Sequence, residues 1–357
     1  MRILPITVVA VFACMGITSC ASWEPAGLSY RIVGEGLIDC FPPGLQDPQQ
    51  DLVYCEASGV AMQNGQLLLA SDKDIPIGSA VFSIQHEQGE PVPDSLAYMN
   101  AEVIKSVKKI EDLAITPDKK YLIATTAFDR YLPKNAKWDF YNSIIYWPVG
   151  KPEAADIAMQ SQRDGVFSSV SFRQQLIDLL GHPYFKVEGL STLPNDKLIL
   201  GVRELGQSYK KFDYKVLIIS LDYSVNQHGK LVLGTDLNIV LNFKPDTHGL
   251  GLPRDIGLSS LEYIPSTDSV FISTSWEKNA QLGGCIWQVS REQLMACKGR
   301  PTVLLDALNK PLLFKNKIEG IASIDPDKVF AIHDDDRETG RHLNRQAHQA
   351  AYSLISK

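Results

Sequence analysis

The chain lacks the short motifs that mark many hydrolase and nucleotide-binding folds. It has no Gly-x-Ser-x-Gly elbow, no His-Glu-x-x-His pair, no Walker phosphate loop and no dinucleotide fingerprint. The serine-hydrolase, zincin, P-loop and Rossmann classes therefore have no sequence support. Neither sign of charge is in large excess, since 35 Lys and Arg residues face 41 Asp and Glu residues. This mildly acidic balance argues against nucleic acid or anionic lipid headgroups as main partners.

Long apolar runs are also missing after residue 17, and the run from Ile3 to Ile17 is short for a membrane span. It ends in Ile17-Thr18-Ser19-Cys20, which resembles the lipobox of bacterial lipoproteins. The resemblance implies a signal peptide over 1–19, lipidation at Cys20 and a tether over 20–27. Ala21 in place of aspartate implies an outer-membrane destination facing the periplasm. The alternative is an ordinary secretory signal that happens to contain a cysteine.

Cysteine is scarce outside this leader, where four residues remain: Cys40, Cys55, Cys285 and Cys297. An exported chain meets an oxidising compartment, so an even number of cysteines predicts disulfides. Three pairings are open. The local one, Cys40–Cys55 with Cys285–Cys297, closes two short loops. A zinc site is the less favoured alternative, because there is no Cys-x-x-Cys pair.

What the sequence does contain is one short sequence motif, which we call the phrase, repeated five times. It starts with a glycine or a substitute and an aliphatic pair, then continues through a polar turn to a second apolar run that ends in charge. The glycine positions are 59, 112, 189, 260 and 320, at spacings of 53, 77, 71 and 60 residues. Each copy predicts two strands joined by a turn, and a third apolar strand follows.

Repeats of this kind predict an all-β propeller over residues 28–357, with four-stranded blades. The literal count is five blades, and six is the alternative if one copy is degenerate. The chain ends on the third strand of the last copy. The segment 28–33 is therefore expected to supply the missing fourth strand and close the ring.

The phrases Glu188-Gly189-Leu190 and Glu319-Gly320-Ile321 resemble those of the bacterial phytase-like, esterase-like β-propeller domains. The same picture fits Ser58-Gly59-Val60-Ala61 through Ser71-Asp72-Lys73. This resemblance covers roughly residues 50–357 and implies the propeller fold. The second copy carries Asp112 in place of glycine and the fourth carries Ser259-Ser260, so the mouth of the ring is expected to be asymmetric.

A hairpin returns the chain to the face from which it started, so both ends of every copy should meet at one mouth. Carboxylates outnumber cations there, and such a cluster favours a bound hard cation, Ca²⁺ first. The expected metal ligands are Glu111, Glu188, Glu319, Asp72 and Asp334.

A cation at this mouth would polarise a phosphoryl or carbonyl oxygen and activate water. The residues expected to act on the substrate are His333, Glu188 and Arg203 as catalytic groups, with Arg130, Arg203 and Arg337 orienting it. Two functions remain open at this point. One is a metal-dependent hydrolase of phosphoesters, esters or lactones. The other is a non-catalytic envelope lipoprotein that binds a protein, glycan or small ligand.

Overall fold

The computed structural model describes residues 29–278, 281–335 and 343–357. Strands make up 51% of the fold and helices 9%, so the protein is all-β. The predicted signal peptide, the lipidation site Cys20 and the substrate-orienting Arg337 lie outside the described residues.

Five small sheets form a ring of blades, and the first strand of the chain, β1 (Arg31–Asp39), belongs to the last of them. Blade one contains β2 (Ala57–Gln63), β3 (Gln66–Ser71), β4 (Val81–Glu87), β5 (Glu90–Pro91) and β6 (Ala97–Tyr98). After α1 (Glu102–Ser106), blade two contains β7 (Ile110–Ile115), β8 (Tyr121–Thr126), β9 (Ile144–Pro148) and β10 (Asp156–Ile157). A separate hairpin, β11 (Ser161–Arg163) with β12 (Val166–Ser168), and helix α2 (Val170–Leu180) follow.

Blade three contains β13 (Tyr184–Leu193), β14 (Lys197–Ser208), β15 (Lys211–Val225), β16 (Leu231–Leu233) and β17 (Asn238–Phe243). Blade four contains β18 (Gly257–Ile264), β19 (Ser269–Lys278), β20 (Gln281–Ser290), β21 (Thr302–Val303) and β22 (Leu313–Phe314), with helix α3 (Arg291–Met295) after β20. Blade five contains β23 (Ile318–Asp325), β24 (Lys328–His333), β25 (Gln349–Ser356) and, as its outer strand, β1. The described residues thus form five blades, the literal count of the repeat.

Strand β1 closes the ring, as the sequence predicts. It runs antiparallel to β25, with Arg31 opposite Ser356 and Asp39 opposite Gln349. Pairing the two ends of the chain completes the last blade with a fourth strand, so that β25 has a partner on both sides. Because β1 runs toward the mouth, the chain enters the ring on the opposite face, beside the β23–β24 turn.

The innermost strands β2, β7, β13, β18 and β23 each pack against the innermost strands of the two adjacent blades. All five have an irregular register with the second strand at the same place in the phrase. The residues left out of register are Ser58, Glu111, Glu188, Ser259 and Glu319. Such bulges re-aim side chains and are common next to functional sites.

In each phrase, the residue that follows the bulged position lies at the axis of the ring. Glycine allows close approach at two of these points: a Cβ on Gly59 would lie 2.8 Å from the Cα of Asp112, and one on Gly320 would lie 2.9 Å from the Cα of Gly59. The two copies without glycine, Asp112 and Ser260, supply the side chains that join the strands there.

Asp112 is fully buried and binds three blades together. Its carboxylate accepts hydrogen bonds from the amides of Leu113 at 2.9 Å, Leu190 at 2.9 Å and Leu261 at 3.3 Å, and from Ser260 Oγ at 3.0 Å. Ser260 Oγ in turn accepts a bond from the amide of Ile321 at 3.3 Å. The two departures from the repeat therefore form a polar plug through four of the five inner strands.

One of the two predicted disulfides is present. Cys40 and Cys55 are bonded, with their Cα atoms 6.1 Å apart. The prediction of Cys285–Cys297 is wrong: Cys285 is buried within β20 and Cys297 is an exposed thiol. Cys285 lies five residues before the end of its strand, about 16 Å at the usual rise per residue. Cys297 lies beyond α3, so the short loop in sequence is not a short distance in space.

No helix among the described residues is long and apolar enough to cross a membrane.

We expect Asp112→Gly, which restores the glycine of the other copies, to lower the free energy of unfolding by about 3–5 kcal/mol. The physical reason is that three buried amides and a hydroxyl lose their shared acceptor. Urea unfolding followed by circular dichroism measures the change. Asp118→Ala is the matched control, because Asp118 lies in the exposed β7–β8 turn, and it should cost less than about 1 kcal/mol. Equal losses in the two variants would contradict the role given to Asp112.

Candidate functional site

A polar cavity of about 170 Å³ lies at the mouth where the inner strands begin. Eight acidic and three basic side chains line it, together with a serine and a tyrosine. The lining residues are Glu56, Ser58, Asp72, Glu111, Lys186, Glu188, Arg203, Glu204, Tyr214, Glu277, Lys317, Glu319 and Asp334. The expected convergence of strand ends therefore brings together all five predicted metal ligands and the predicted catalytic residues Glu188 and Arg203.

The recurring bulge explains why three glutamates lie at the mouth. Glu111, Glu188 and Glu319 occupy the bulged position in blades two, three and five, and each is almost completely buried. Blades one and four have Ser58 and Ser259 there. Five equivalent positions, one from each blade, thus surround the mouth. Two of them carry a hydroxyl and three carry a carboxylate.

Sequence reasoning predicted Arg203 at the mouth but missed three lysines that offset the charge of these carboxylates. Each bulged glutamate follows a lysine by two residues, in Lys109-Ile110-Glu111, Lys186-Val187-Glu188 and Lys317-Ile318-Glu319. This triplet was a visible signal, because it recurs in the same three copies. Its lysines are largely buried at the mouth, where a carboxylate left without a cation would be costly.

The lysines connect neighbouring blades as well as their own glutamates. Lys186 Nζ lies 3.4 Å from Glu111 Oε1 and forms a close ion pair with Glu188. Lys109 Nζ lies 3.6 Å from Glu111 Oε1 and 2.7 Å from Asp129 Oδ2. Charges of alternating sign therefore run from blade two into blade three.

Lys317 extends this arrangement to the other side of the mouth, 3.4 Å from Glu319 Oε1 and 3.6 Å from Glu277 Oε2. Blade one lacks the Lys-x-Glu triplet and has Glu56-Ala57-Ser58 in its place. Glu56 takes the place of the lysine, and Lys73 binds it at 2.5 Å and Asp72 at 3.0 Å. A cation that follows the second strand thus compensates for the missing lysine of the first.

Blade four departs from the motif in a way that admits Arg203 from blade three. Gly257 takes the lysine position, and a Cβ there would lie 2.7 Å from Arg203 Cγ. Arg203 Nη1 donates to Ser259 Oγ at 2.8 Å and to Ser275 Oγ at 2.9 Å, and it lies 3.1 Å from Glu188 Oε2. The small residues of blade four therefore hold a buried guanidinium beside Glu188.

Two glutamates that face the same ammonium differ in acidity. Burial raises the pKa of Glu111 to about 8, although Lys186 and Lys109 act in the opposite direction. Burial also favours the protonated form of Glu188, but Arg203 and Lys186 outweigh it and hold its pKa below the usual value. The surroundings therefore shift the pKa values of these two carboxyl groups in opposite directions, although both groups contact Lys186.

Three carboxylate oxygens at the mouth accept no hydrogen bond from the described residues: Glu111 Oε1, Glu188 Oε2 and Glu319 Oε1. Each instead faces a lysine or arginine nitrogen at 3.1–3.6 Å. Within the described ranges, no group of three or more His, Cys, Asp or Glu side chains has an arrangement that could hold a metal ion. The Ca²⁺ site remains a prediction.

Two predicted site residues lie away from the cavity. His333 is buried in β24, where Nε2 lies 2.8 Å from Ser353 Oγ on the neighbouring strand. Arg130 lies over the ring of Tyr141, 4.6 Å from its centroid, with about half of its side chain exposed. The geometry brings neither of them to the lining of the mouth.

Comparisons with known proteins bear on the fold alone. No family model matches the chain, and no curated protein matches it in sequence. Among solved structures, the PQQ-bound aldose sugar dehydrogenase of Streptomyces coelicolor is 11% identical, with 92% of this chain and 98% of that chain covered and a TM-score of 0.39. An α-L-arabinofuranosidase of Podospora anserina is 9% identical, with 85% and 91% covered and a TM-score of 0.43. The Nup133 β-propeller domain of Vanderwaltozyma polyspora is 10% identical, with 84% and 71% covered and a TM-score of 0.35.

At these scores the solved structures carry no inference about activity. The propeller stands on its own sheet topology. The phytase-like, esterase-like type and the lipoprotein character stay predictions.

We expect Lys186→Met to lower the free energy of unfolding at pH 8 by about 3–5 kcal/mol, because Glu188 and Glu111 lose the ammonium they share. The loss should be smaller at pH 5, where unpaired buried carboxylates take up protons. Urea unfolding at the two pH values measures both effects. Adding Glu111→Gln and Glu188→Gln to Lys186→Met should recover much of the stability. A loss that is the same at both pH values would contradict the charge explanation.

Proposed function

We propose that the mouth is the reaction site of a hydrolase that cleaves an ester or lactone bond by general acid–base catalysis. The observation that carries the proposal is the pair Glu111 and Glu188. Both contact Lys186, yet their pKa values are shifted in opposite directions. Two carboxyl groups separated in this way by their surroundings suit the roles of acid and base.

In the proposed reaction Glu188 accepts a proton from water, whose oxygen forms the new bond to the carbonyl carbon. Glu111 donates its proton to the leaving oxygen as the ester bond breaks. Arg203 lies beside Glu188 and would stabilise the negative charge that develops on the carbonyl oxygen. One water is consumed, and proton exchange with solvent returns both carboxyl groups to their starting states.

The charge of the cavity supports a carboxylic ester or lactone over a phosphoester. Eight acidic side chains and three basic ones line it, so a phosphate dianion would be repelled. A neutral ester group carries no such cost, and the small polar volume suits a group of a few heavy atoms. Of the activities that the resemblance implies, the charge and size of the cavity favour the hydrolysis of carboxylic esters. We retain anchoring in the bacterial envelope through Cys20 as part of the proposal.

We expect hydrolysis of short-chain esters and lactones to show a bell-shaped pH dependence. Activity should fall above about pH 8, where Glu111 loses the proton it must donate, and again at a pH below the usual range of a glutamate pKa, where Glu188 becomes protonated. Glu188→Gln should lower kcat by roughly 100-fold or more, and Glu111→Gln should do the same and also remove the alkaline limb. Initial rates measured from pH 3 to pH 10 test these statements.

Glu262→Gln is the matched control for these variants. Burial raises the pKa of Glu262 to about 8 as well, but this carboxyl binds the amide of Ser323 at 2.9 Å and does not line the cavity. Its activity and pH profile should match the wild type. Wild-type protein that hydrolyses nothing on an ester and lactone panel would refute the proposal and favour the non-catalytic binding alternative.

A second candidate function is Ca²⁺ binding: the described carboxylates form no metal-binding group as they stand, but three of their oxygens have no hydrogen-bond donor and would accept a cation in place of the lysines. Carboxylate oxygens are the ligands that Ca²⁺ prefers. A bound Ca²⁺ would take over from Lys186 and Lys317 as the neighbour of these carboxylates.

On this candidate, Ca²⁺ at 1 mM should raise the melting temperature and a chelator should reverse the rise, since a ligand of the native state stabilises it by mass action. Glu319→Gln should abolish the rise and Glu262→Gln should preserve it. Differential scanning fluorimetry provides the measurement. An unchanged melting temperature across the titration would rule this candidate out.

A further inference from the structure

A second and larger depression lies beside the mouth, between blade three and the loop that leads to blade four, with a volume of about 1010 Å³. We call it the side groove. One wall is the part of the β14–β15 hairpin from Lys210 to Val216, and the other is the end of β17 with the loop of residues 244–256. The hairpin forms this wall because β14 and β15 stay paired beyond the cavity, as far as Ser208 and Lys211.

The side groove and the cavity meet at Tyr214, which lines both. Blade four has Gly257 where three other blades have lysine, and the missing side chain leaves room for Tyr214 at the boundary of the two depressions. A Cβ at Gly257 would lie 2.9 Å from Tyr214 Cδ1. The same departure from the repeat that admits Arg203 therefore also admits Tyr214, the side chain that the cavity and the groove share.

The two depressions differ in charge. The cavity has a large excess of carboxylates, whereas four cations and three carboxylates line the groove: Lys210, Lys215, Lys244 and Arg254 against Asp213, Asp246 and Asp255. Lys215 lies 3.4 Å from Asp213. Lys244 and Arg254 are exposed and form no ion pair within the part of the chain that the structure describes. They are available for an anion.

The side groove also offers apolar surface. Phe212 and Phe243 line it, each partly exposed, and Phe212 packs edge-on against Tyr214 with 5.3 Å between ring centroids. A ligand that suits this lining has an apolar body and an anionic group. The cavity, at about 170 Å³, is too small to hold such a body together with a reacting bond.

We infer that the side groove binds an organic carboxylate with an apolar body, as the part of the substrate that extends from the cavity past Tyr214. The cleaved ester bond then lies among Glu111, Glu188 and Arg203, while Lys244 and Arg254 bind the carboxylate. This inference rests on the proposed function only in calling the ligand a substrate. Binding in the groove is a separate property.

The test uses two probes that cannot be hydrolysed as esters, 4-phenylbutyrate and the uncharged 4-phenylbutyramide, titrated into the full protein by isothermal calorimetry. Wild-type protein should bind the carboxylate about tenfold more tightly than the amide, because charge-assisted contacts to Lys244 and Arg254 are gained. The double variant Lys244→Glu/Arg254→Glu should lose this preference. Both side chains are exposed, so folding should be unaffected, and an unchanged melting temperature verifies this.

Lys119→Glu is the matched control, since it reverses an exposed lysine in the β7–β8 turn at the far end of the ring, and it should keep the preference. Lys244→Gln/Arg254→Gln should give an intermediate result. Equal binding of the two probes, or a preference that survives in the double variant, would overturn the inference. Glu188→Gln should bind both probes as the wild type does, so loss of catalysis and loss of groove binding are distinguishable.

Discussion

The fold depends on one buried carboxylate. Asp112 lies where the inner strands come closest together, and its oxygens accept bonds from three of them. Among the described residues the buried apolar side chains form five clusters, each between two adjacent blades, so the contacts at the axis are left to polar groups. Burial raises the pKa of Asp112 well above its usual value, and the hydrogen bonds from four donors oppose that shift. The axis is therefore closed by polar contacts with definite partners.

The mouth above this plug is also held together by buried polar groups with definite partners, and it contains more of them. A β-bulge in every inner strand turns one side chain of each phrase toward the cavity, and three of the five are glutamates. Such carboxylates would repel one another if they were alone. Lysines two residues earlier, and Arg203 from the second strand of blade three, place a cation between them. These cations thus offset the cost of burying the carboxylates that line the cavity.

Much of this could be predicted from the residues alone. The spacing of the five phrases predicts the blades, the closure by the N-terminal strand and the convergence of strand ends, because a hairpin must return the chain to its starting face. The roles of Asp112 and Ser260 could not be predicted, since both look like defects until the axis brings them together. His333 has the right position in sequence, but its side chain points along its own sheet to Ser353. The Cys285–Cys297 prediction failed because distance in sequence ignores the length of a strand.

The position of β1 puts the N-terminal end of the described chain on the face of the ring opposite the mouth. Arg31 pairs with Ser356 on the face opposite the mouth. If Cys20 is lipidated as the sequence predicts, the nine residues from 20 to 28 reach at most about 30 Å when fully extended. The membrane would then lie on the side of the ring opposite the mouth, and the cavity would open away from it. A substrate would arrive from the aqueous side, without first entering the lipid.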